Sequence, residues 1–146
     1  MKRIFQVVII FLFTVFGFQM ANAQCKGFAK KICKVELEPY IHDGNFHAAI
    51  LTEGEEAELY KTFYSDTEYR IAICGSDALP NVEFKVIDAN KNVLYSNKDR
   101  NFSRTWDFKL QSSQQLKILV KVHPSGKNAD EVISGCVSIM FGFKEK

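Results

Sequence analysis

The chain has little proline and little glycine, with three and eight in 146 residues. Collagen-like and proline-rich architectures need far more of both, so they are excluded. Charged residues make up 25% of the chain and apolar residues 47%, both close to the averages of globular proteins. Because this composition can bury a core, we expect a folded chain, and its length favours a single domain.

The chain also lacks an excess of charge of one sign. It has 19 basic and 17 acidic residues, and two of the basic ones, Lys2 and Arg3, lie at its start. We expect no nucleic-acid partner, because a general nucleic-acid binder needs a basic surplus. Two local clusters of like charge remain, and we interpret them as solvent-exposed faces. They comprise Lys26, Lys30, Lys31 and Lys34, and Glu53, Glu55, Glu56 and Glu58.

The only long apolar run lies near the N-terminus. A basic start, an apolar stretch over residues 4–18 and the small residues of Ala21-Asn22-Ala23 together predict a secretory signal peptide over residues 1–23. Cleavage before Gln24 would leave residues 24–146 as a single domain without a membrane span. We therefore expect an exported protein, either periplasmic or secreted.

Two alternatives to cleavage stay open. A retained membrane anchor would need roughly 18 apolar residues, which is more than this run offers. A lipid attached to Cys25 would be preceded by Gly or Ala in most lipid-attachment signals, whereas Gln24 stands there.

Cysteine spacing argues against two kinds of site. The sequence has four cysteines and no C-x-x-C, which argues against a thioredoxin-like redox site and a zinc ribbon. An even number in an exported chain predicts two disulfides. If residues 25–36 are helical, Cys25 and Cys33 are separated by about 12 Å of helical rise, too far for a disulfide. One of them then pairs with Cys74 and the other with Cys136, in either combination.

Residues 25–36 have the apolar spacing of a short amphipathic helix, and Pro39 ends the pattern. A helix this short needs packing and covalent links to persist in water. We expect it to dock on a core. A basic helix lying on a membrane is the alternative.

Beyond Gly44 the apolar period changes to two, which predicts short antiparallel strands separated by turn residues. Trp106, the only tryptophan, falls in one of these alternations, and we expect it to be mostly buried between two sheets. About eight strands at this spacing favour an antiparallel β-sandwich, so the expected fold is mainly β with a short N-terminal helix tied on by disulfides. The segments are 46–51, 59–63, 69–73, 82–86, 93–95, 106–110, 116–122 and 137–143.

The strand pattern resembles the jelly-roll sandwiches of the pre-peptidase C-terminal and GOLD type. It rests on the stretches AELYKTFYSDTEYRIAICGSDALPNVEFKVIDANKNVLYSN, WDFKLQSSQQLKILVKV and GCVSIMFGF. The chain is also similar to small exported proteins from Bacteroidota that begin with a cysteine-bearing helix and end in G-C-V. The resemblance implies a jelly roll and says little about activity. Some pre-peptidase domains bind calcium, but no clustered acidic ligand set occurs in this sequence.

His42, Asp43 and His47 form the most suggestive polar cluster. Two imidazoles and a carboxylate are ligand types of a zinc site. The two histidines are five residues apart, however, and this spacing matches neither a metal site on a helix nor one on a strand. Asp43-Gly44-Asn45 is typical of a turn. We expect a structural turn, with a metal site as the alternative, and no cofactor or metal elsewhere.

Catalytic signatures are missing from the sequence. There is no G-x-S-x-G and no phosphate-binding glycine loop, so we expect no catalytic residues and no enzyme. Four aromatic residues outside the clear inward register form a candidate ligand surface: Tyr40, Phe46, Tyr95 and Phe102.

The sequence therefore favours a non-catalytic exported binding module whose partner is an envelope protein or a glycan. The alternative is a structural or stress-tolerance protein of the envelope without a small ligand. A hydrolase ranks third.

Overall fold

The computed structural model describes residues 23–126 and 131–145, together with Met1. The signal-peptide prediction falls on residues that lie almost entirely outside this part of the chain. Among the described residues, no helix combines the length and apolarity needed to cross a bilayer.

The N-terminal helix covers residues 23–37 and changes its winding along its length. It is α-helical over 23–28, a π-helix over Ala29–Cys33 and a 3-10 helix over Lys34–Leu37. Its fully buried residues recur at every fourth position, at Cys25, Ala29, Cys33 and Leu37. In a regular α-helix, every fourth residue is rotated about 40° past one full turn, so a row with this spacing gradually winds around the helix. The π-helical segment has more residues per turn, which helps to keep the four buried residues on one side. The predicted helix is confirmed, although its winding is irregular.

Nine strands follow the helix in the described part of the chain. Eight correspond to the predicted segments, and β1 was missed because two residues carry no measurable period. They are β1 (Ile41–His42), β2 (His47–Thr52), β3 (Glu56–Phe63), β4 (Glu68–Gly75), β5 (Val82–Ile87), β6 (Val93–Ser96), β7 (Thr105–Lys109), β8 (Gln114–Val122) and β9 (Ser134–Phe143).

The strands form two antiparallel sheets. Sheet A has the order β2-β9-β4-β7, with β1 pairing β9 beyond the end of β2. Sheet B has the order β3-β8-β5-β6. The chain passes back and forth between the sheets, and these two orders are those of a jelly roll. The expected β-sandwich is confirmed.

The core between the sheets centres on Phe63, which is fully buried. Its ring contacts the rings of Tyr69 and Phe108, each with centroids 5.0 Å away, and that of Phe141 at 5.7 Å. Three of these residues belong to sheet A and Phe63 to sheet B, so this cluster joins the two sheets. Edge-to-face rings of this kind add to the stabilisation from burial.

The helix packs on the outer face of sheet A and forms a second core there. Ala29, Cys33 and Leu37 contact Ala72, Cys74 and Met140 of the two central strands. Disulfides join Cys25 to Cys136 and Cys33 to Cys74, with Cα atoms 5.3 and 5.7 Å apart. The expected links from helix to strands are confirmed, and the choice that the sequence left open is settled.

The helix runs in the direction of β9. Cys25 lies against Cys136 at the start of that strand, and Leu37 lies against Gly142 near its end. Twelve helical residues rise about 18 Å and six strand residues span about 20 Å, so the two elements match in length. A Cβ at Gly142 would come within 2.7 Å of the Tyr40 Cβ, which explains the glycine at this close approach.

Arg70 fastens the end of the helix to sheet A. Its guanidinium donates to the carbonyls of Glu36 and Glu38, at 3.2 and 2.7 Å, and makes two hydrogen bonds with the Asp107 carboxylate. It also lies 4.6 Å from the centre of the Tyr40 ring. The last carbonyls of a helix lack partners within the helix, and Arg70 satisfies two carbonyls at this end.

Candidate functional site

The two long sides of the sandwich are closed in different ways. On the side of β6 and β7, the ring of Tyr95 stacks on Trp106 at 4.9 Å, and Trp106 stacks on Phe108 at 4.4 Å. This stack crosses from sheet B to sheet A and fills the gap between the two edge strands. Trp106 packs against the core as expected but is only partly buried, because β7 is an edge strand.

The opposite side, between β2 and β3, is lined by small residues. Ala49 of β2 and Ala57 of β3 stand where the other side has large rings, and a cleft of about 330 Å³ opens between them. We call it the edge cleft. Its surface is mainly apolar, and it is lined by Phe46, His47, Ala48, Ala49, Leu51, Ala57, Glu58, Leu59, Val120, Val137 and Ile139.

Each end of the edge cleft is closed by contacts that reach across the two sheets. At one end, the turn between β2 and β3 is held by a hydrogen bond of 2.7 Å from the N–H of Gly54 to the carbonyl of Val122. Near the other end, Lys61 of β3 makes an ion pair of 2.8 Å with Asp43, which precedes β2. The Lys61 ammonium also lies 4.8 Å from the centre of the Phe141 ring. These contacts border the cleft at both ends, and between them the cleft opens onto the core.

The charges of this ion pair are partly withdrawn from water. Partial burial favours the neutral carboxyl of Asp43, but hydrogen bonds from Lys61 and from the N–H of Asn45 outweigh it and lower the pKa of Asp43. Burial also lowers the pKa of His47 below its ordinary value, so its ring is neutral at pH 7. The cleft thus has an apolar floor with a paired carboxylate and a neutral imidazole near its rim.

We expect Asp43→Asn to lower the free energy of unfolding by about 1 kcal/mol at pH 7, because it replaces a charge-assisted hydrogen bond with a neutral one. The pKa of Asp43 is lowered by folding, so its contribution is present above the unfolded pKa of about 3.9 and is lost as the pH falls through the folded pKa. Urea unfolding at pH 7 and pH 2 measures both values. Asp66→Asn, at a side chain 71% exposed, serves as the control and should have little effect at either pH. A cost for Asp43→Asn that is equal at both pH values would contradict the assignment.

The segment from His42 to His47 leads into β2, and its last two residues, Phe46 and His47, line the cleft. Asp43 accepts a hydrogen bond of 2.9 Å from the N–H of Asn45, and Gly44 has a φ of +90°, so the predicted turn is confirmed. The ring of His42 is bonded to the carbonyl of Asn45 at 2.9 Å. Within the described residues, no three His, Cys, Asp or Glu side chains come together as a metal site would require.

The four aromatic residues of the candidate ligand surface lie in four different places. Tyr40 is buried under the end of the helix, and Tyr95 is buried in the ring stack between the sheets. Phe46 lines the edge cleft and Phe102 lines a different depression. Phe46 is thus the residue of this set that lies at the edge cleft.

Comparisons with known proteins do not assign the chain to a family. No model of a known protein family matches the chain, and no curated protein matches it in sequence. Among solved structures, the chain resembles the crystal structure of Aeromonas hydrophila PliG, a periplasmic lysozyme inhibitor of g-type lysozyme. The two are 13% identical, with a TM-score of 0.48 over 71% of this chain and 89% of PliG. The resemblance to pre-peptidase C-terminal and GOLD domains, and to the Bacteroidota proteins, stays a prediction.

The depression that Phe102 lines lies at one end of the sandwich, where the turn after β4 meets the loop after β6, and it too has a volume of about 330 Å³. Asn97, only 1% exposed, holds this loop: it accepts from the N–H of Phe84 and donates to the carbonyls of Val82 and Ser103. The surface here is mainly polar. A typical ligand site is apolar with a few polar groups, so the edge cleft is the stronger candidate.

Ala49, Ala57 and Lys61 were not predicted from the sequence as site residues. Lys61 did leave a signal, because it occupies an inward position between Leu59 and Phe63 in the alternation of β3. A charged residue in an inward register marks an unusual place on a sheet, often near an edge. The two alanines left no signal, since small residues are common throughout β-sandwich cores.

Proposed function

We propose that residues 24–146 form a non-catalytic binding protein of an extracytoplasmic compartment. In this proposal the edge cleft receives an extended segment of a partner protein. The observation that carries the proposal is an apolar opening onto the core beside an edge strand that has a free side. Two disulfides support the location, because such bonds persist in oxidising compartments.

The free edge of β3 suits the addition of a strand. β3 is eight residues long and pairs with β8 without a break in register, and in the described part of the chain its other edge has no partner strand. Long edge strands are usually protected by proline, bulges or inward charges. In β3 the inward charge of Lys61 lies near one end, and residues 56–60 carry no such protection. An extended peptide can add a strand to an edge of this kind.

The side chains beside this edge define the expected partner segment. Alternate side chains of an added strand would point inward over Ala57 and Leu59 and cover the apolar floor of the cleft. The others would point outward beside Glu56 and Glu58, whose side chains pair with Lys121 and Lys117 of β8 and are still 48% and 52% exposed. Opposite charges on neighbouring strands attract, so the segment that fits alternates apolar with basic residues.

The rim of the cleft is better suited to binding than to chemistry. Lys61 and Asp43 are paired with each other, and the ring of His42 is bonded to a backbone carbonyl. These contacts hold the frame of the cleft, while its floor offers an apolar surface to a side chain. Burial of that surface supplies the affinity, and hydrogen bonds between the strands fix the direction of the peptide.

The test uses a heptapeptide that alternates valine or leucine with lysine or arginine. We expect backbone amide shifts confined to β3 and to the residues that line the edge cleft. Ala57→Leu fills the cleft and should weaken binding at least tenfold. Ala89→Leu, at an exposed turn position, is the matched control and should bind like the unmodified protein.

A second peptide separates strand addition from simple charge attraction. N-methylation of alternate residues removes the N–H groups that would pair with β3 and leaves the side chains in place. We expect this peptide not to bind. Equal binding of the methylated peptide, or shifts centred elsewhere on the protein, would refute the proposal.

A further inference from the structure

The outward side of the N-terminal helix carries four lysines. Because the buried row at Cys25, Ala29, Cys33 and Leu37 faces sheet A, the lysines are left exposed to solvent. Lys26, Lys30 and Lys34 each follow a buried residue directly and so form a row of their own along the helix. We call Lys26, Lys30, Lys31 and Lys34, with the exposed Ile32 and Val35, the lysine face.

The lysine face is not neutralised by ion pairs in the part of the chain that the structure describes. Within the described residues, none of its four lysines makes an ion pair, although Lys61, Lys85, Lys109, Lys117, Lys121 and Lys144 all do. Glu36, the acidic residue within the helix, is paired with Arg104 at 3.4 Å. The ammonium of Lys30 lies 5.3 Å from the centre of the Phe46 ring, a contact that leaves its charge uncompensated. Positive charge is therefore concentrated on one surface of a chain that is nearly neutral overall.

Two apolar side chains stand among these charges. Ile32 is 49% exposed and Val35 is 59% exposed, although the helix buries its other apolar face on sheet A. Lysines around exposed aliphatic side chains are the composition of helices that lie at a membrane surface. Here two disulfides and the Arg70 contacts hold the helix in place before any binding, so little ordering is required.

We infer that the lysine face binds the surface of an anionic lipid bilayer. The charge calls for an anionic partner, and the exposed Ile32 and Val35 favour lipid over an acidic protein because they can enter the apolar layer beneath the headgroups. The four cations are all lysines, which attract phosphate as flexible point charges and do not need the fixed geometry that arginine recognises. This goes beyond the proposed function and uses a different surface from the edge cleft.

The test measures sedimentation of the exported, disulfide-bonded protein with vesicles. One set contains equal parts phosphatidylglycerol and phosphatidylcholine, and the other contains phosphatidylcholine alone. We expect binding to the anionic vesicles only, weakening as salt is raised. Intact mass must first show that the apolar leader is absent, since the leader would bind vesicles by itself.

The variant Lys30→Gln/Lys31→Gln/Lys34→Gln removes three charges from the lysine face. Each lysine near an anionic surface contributes about a fivefold factor in affinity, so we expect a loss of about a hundredfold. The matched control, Lys91→Gln/Lys98→Gln/Lys109→Gln, changes the net charge equally at exposed positions elsewhere and should bind as before. Circular dichroism confirms that both variants are folded. Equal losses in the two variants would show a response to net charge alone and would overturn the assignment.

A third variant distinguishes lipid from an acidic protein. Ile32→Ser/Val35→Ser should weaken binding to anionic vesicles severalfold and leave binding to soluble poly-glutamate unchanged. If it leaves vesicle binding unchanged as well, or if poly-glutamate binds more tightly than the vesicles, the lipid assignment is wrong. Binding to phosphatidylcholine alone would also refute it.

Discussion

Replacing Phe63 with alanine is expected to lower the free energy of unfolding by about 3–5 kcal/mol. The side chain is fully buried between the sheets, and its ring contacts three others, from Tyr69, Phe108 and Phe141. Alanine would leave a cavity at the point where rings from both sheets meet. Rigid neighbouring rings cannot collapse into that space without losing their own contacts, so the cost falls in the upper part of the range for core truncations.

Urea unfolding followed by far-ultraviolet circular dichroism measures this loss. Tyr60→Ala is the control, because it removes another aromatic ring from the same strand at a position 54% exposed. We expect it to cost well under 1 kcal/mol, as exposed substitutions usually do. Similar losses at Phe63 and Tyr60 would mean that β3 does not pack against sheet A as described.

Removing either disulfide is expected to lower the free energy of unfolding by a similar amount. The Cys33–Cys74 bond spans a sequence separation of 41, and the chain-entropy model assigns about 4 kcal/mol to a loop of this length. The Cys25–Cys136 bond spans 111 residues, for which the model gives about 5 kcal/mol. Total stabilities of domains are about 5–15 kcal/mol, so loss of both bonds would bring the protein close to unfolding.

The paired variants Cys33→Ala/Cys74→Ala and Cys25→Ala/Cys136→Ala test the two bonds separately. Denaturant unfolding gives the free energies, and hydrogen exchange of residues 25–37 reports whether the helix stays docked. We expect faster exchange there in both variants, with the strands of sheet B less affected. Unchanged stability in both variants would mean that packing alone holds the helix.

The strands and the helix could be predicted from the sequence because each depends on nearby residues. The alternation in Gln114–Val122 follows from one face meeting the core and the other facing outward, whatever the partner strand. A Cys25–Cys33 bond could likewise be excluded from local information, since the rise of a helix alone separates these two residues. The turn at Asp43-Gly44-Asn45 is formed by its own side chains and backbone.

The connectivity of the disulfides depended on the tertiary structure. Both cysteines of the helix could reach either strand until the direction of the helix was known. The helix runs parallel to β9, which brings Cys25 to Cys136 and leaves Cys33 beside Cys74. That direction follows from long-range contacts, such as Leu37 and Tyr40 against Gly142, and no local pattern reports them.

The edge cleft likewise depended on the tertiary structure, because it forms between two strands that lie at the edges of their sheets. Ala49 and Ala57 are ordinary small residues in the sequence, and they open a cleft only because the jelly-roll order places β2 and β3 at the same side of the two sheets. On the other side the same order brings Tyr95 to Trp106, and that gap is filled. Thus the sequence by itself determined the strands, the helix and the absence of a bond within the helix, because these follow from the chemistry of neighbouring residues. The cleft and the disulfide pairing were decided by tertiary structure, because each requires residues far apart in the chain to meet.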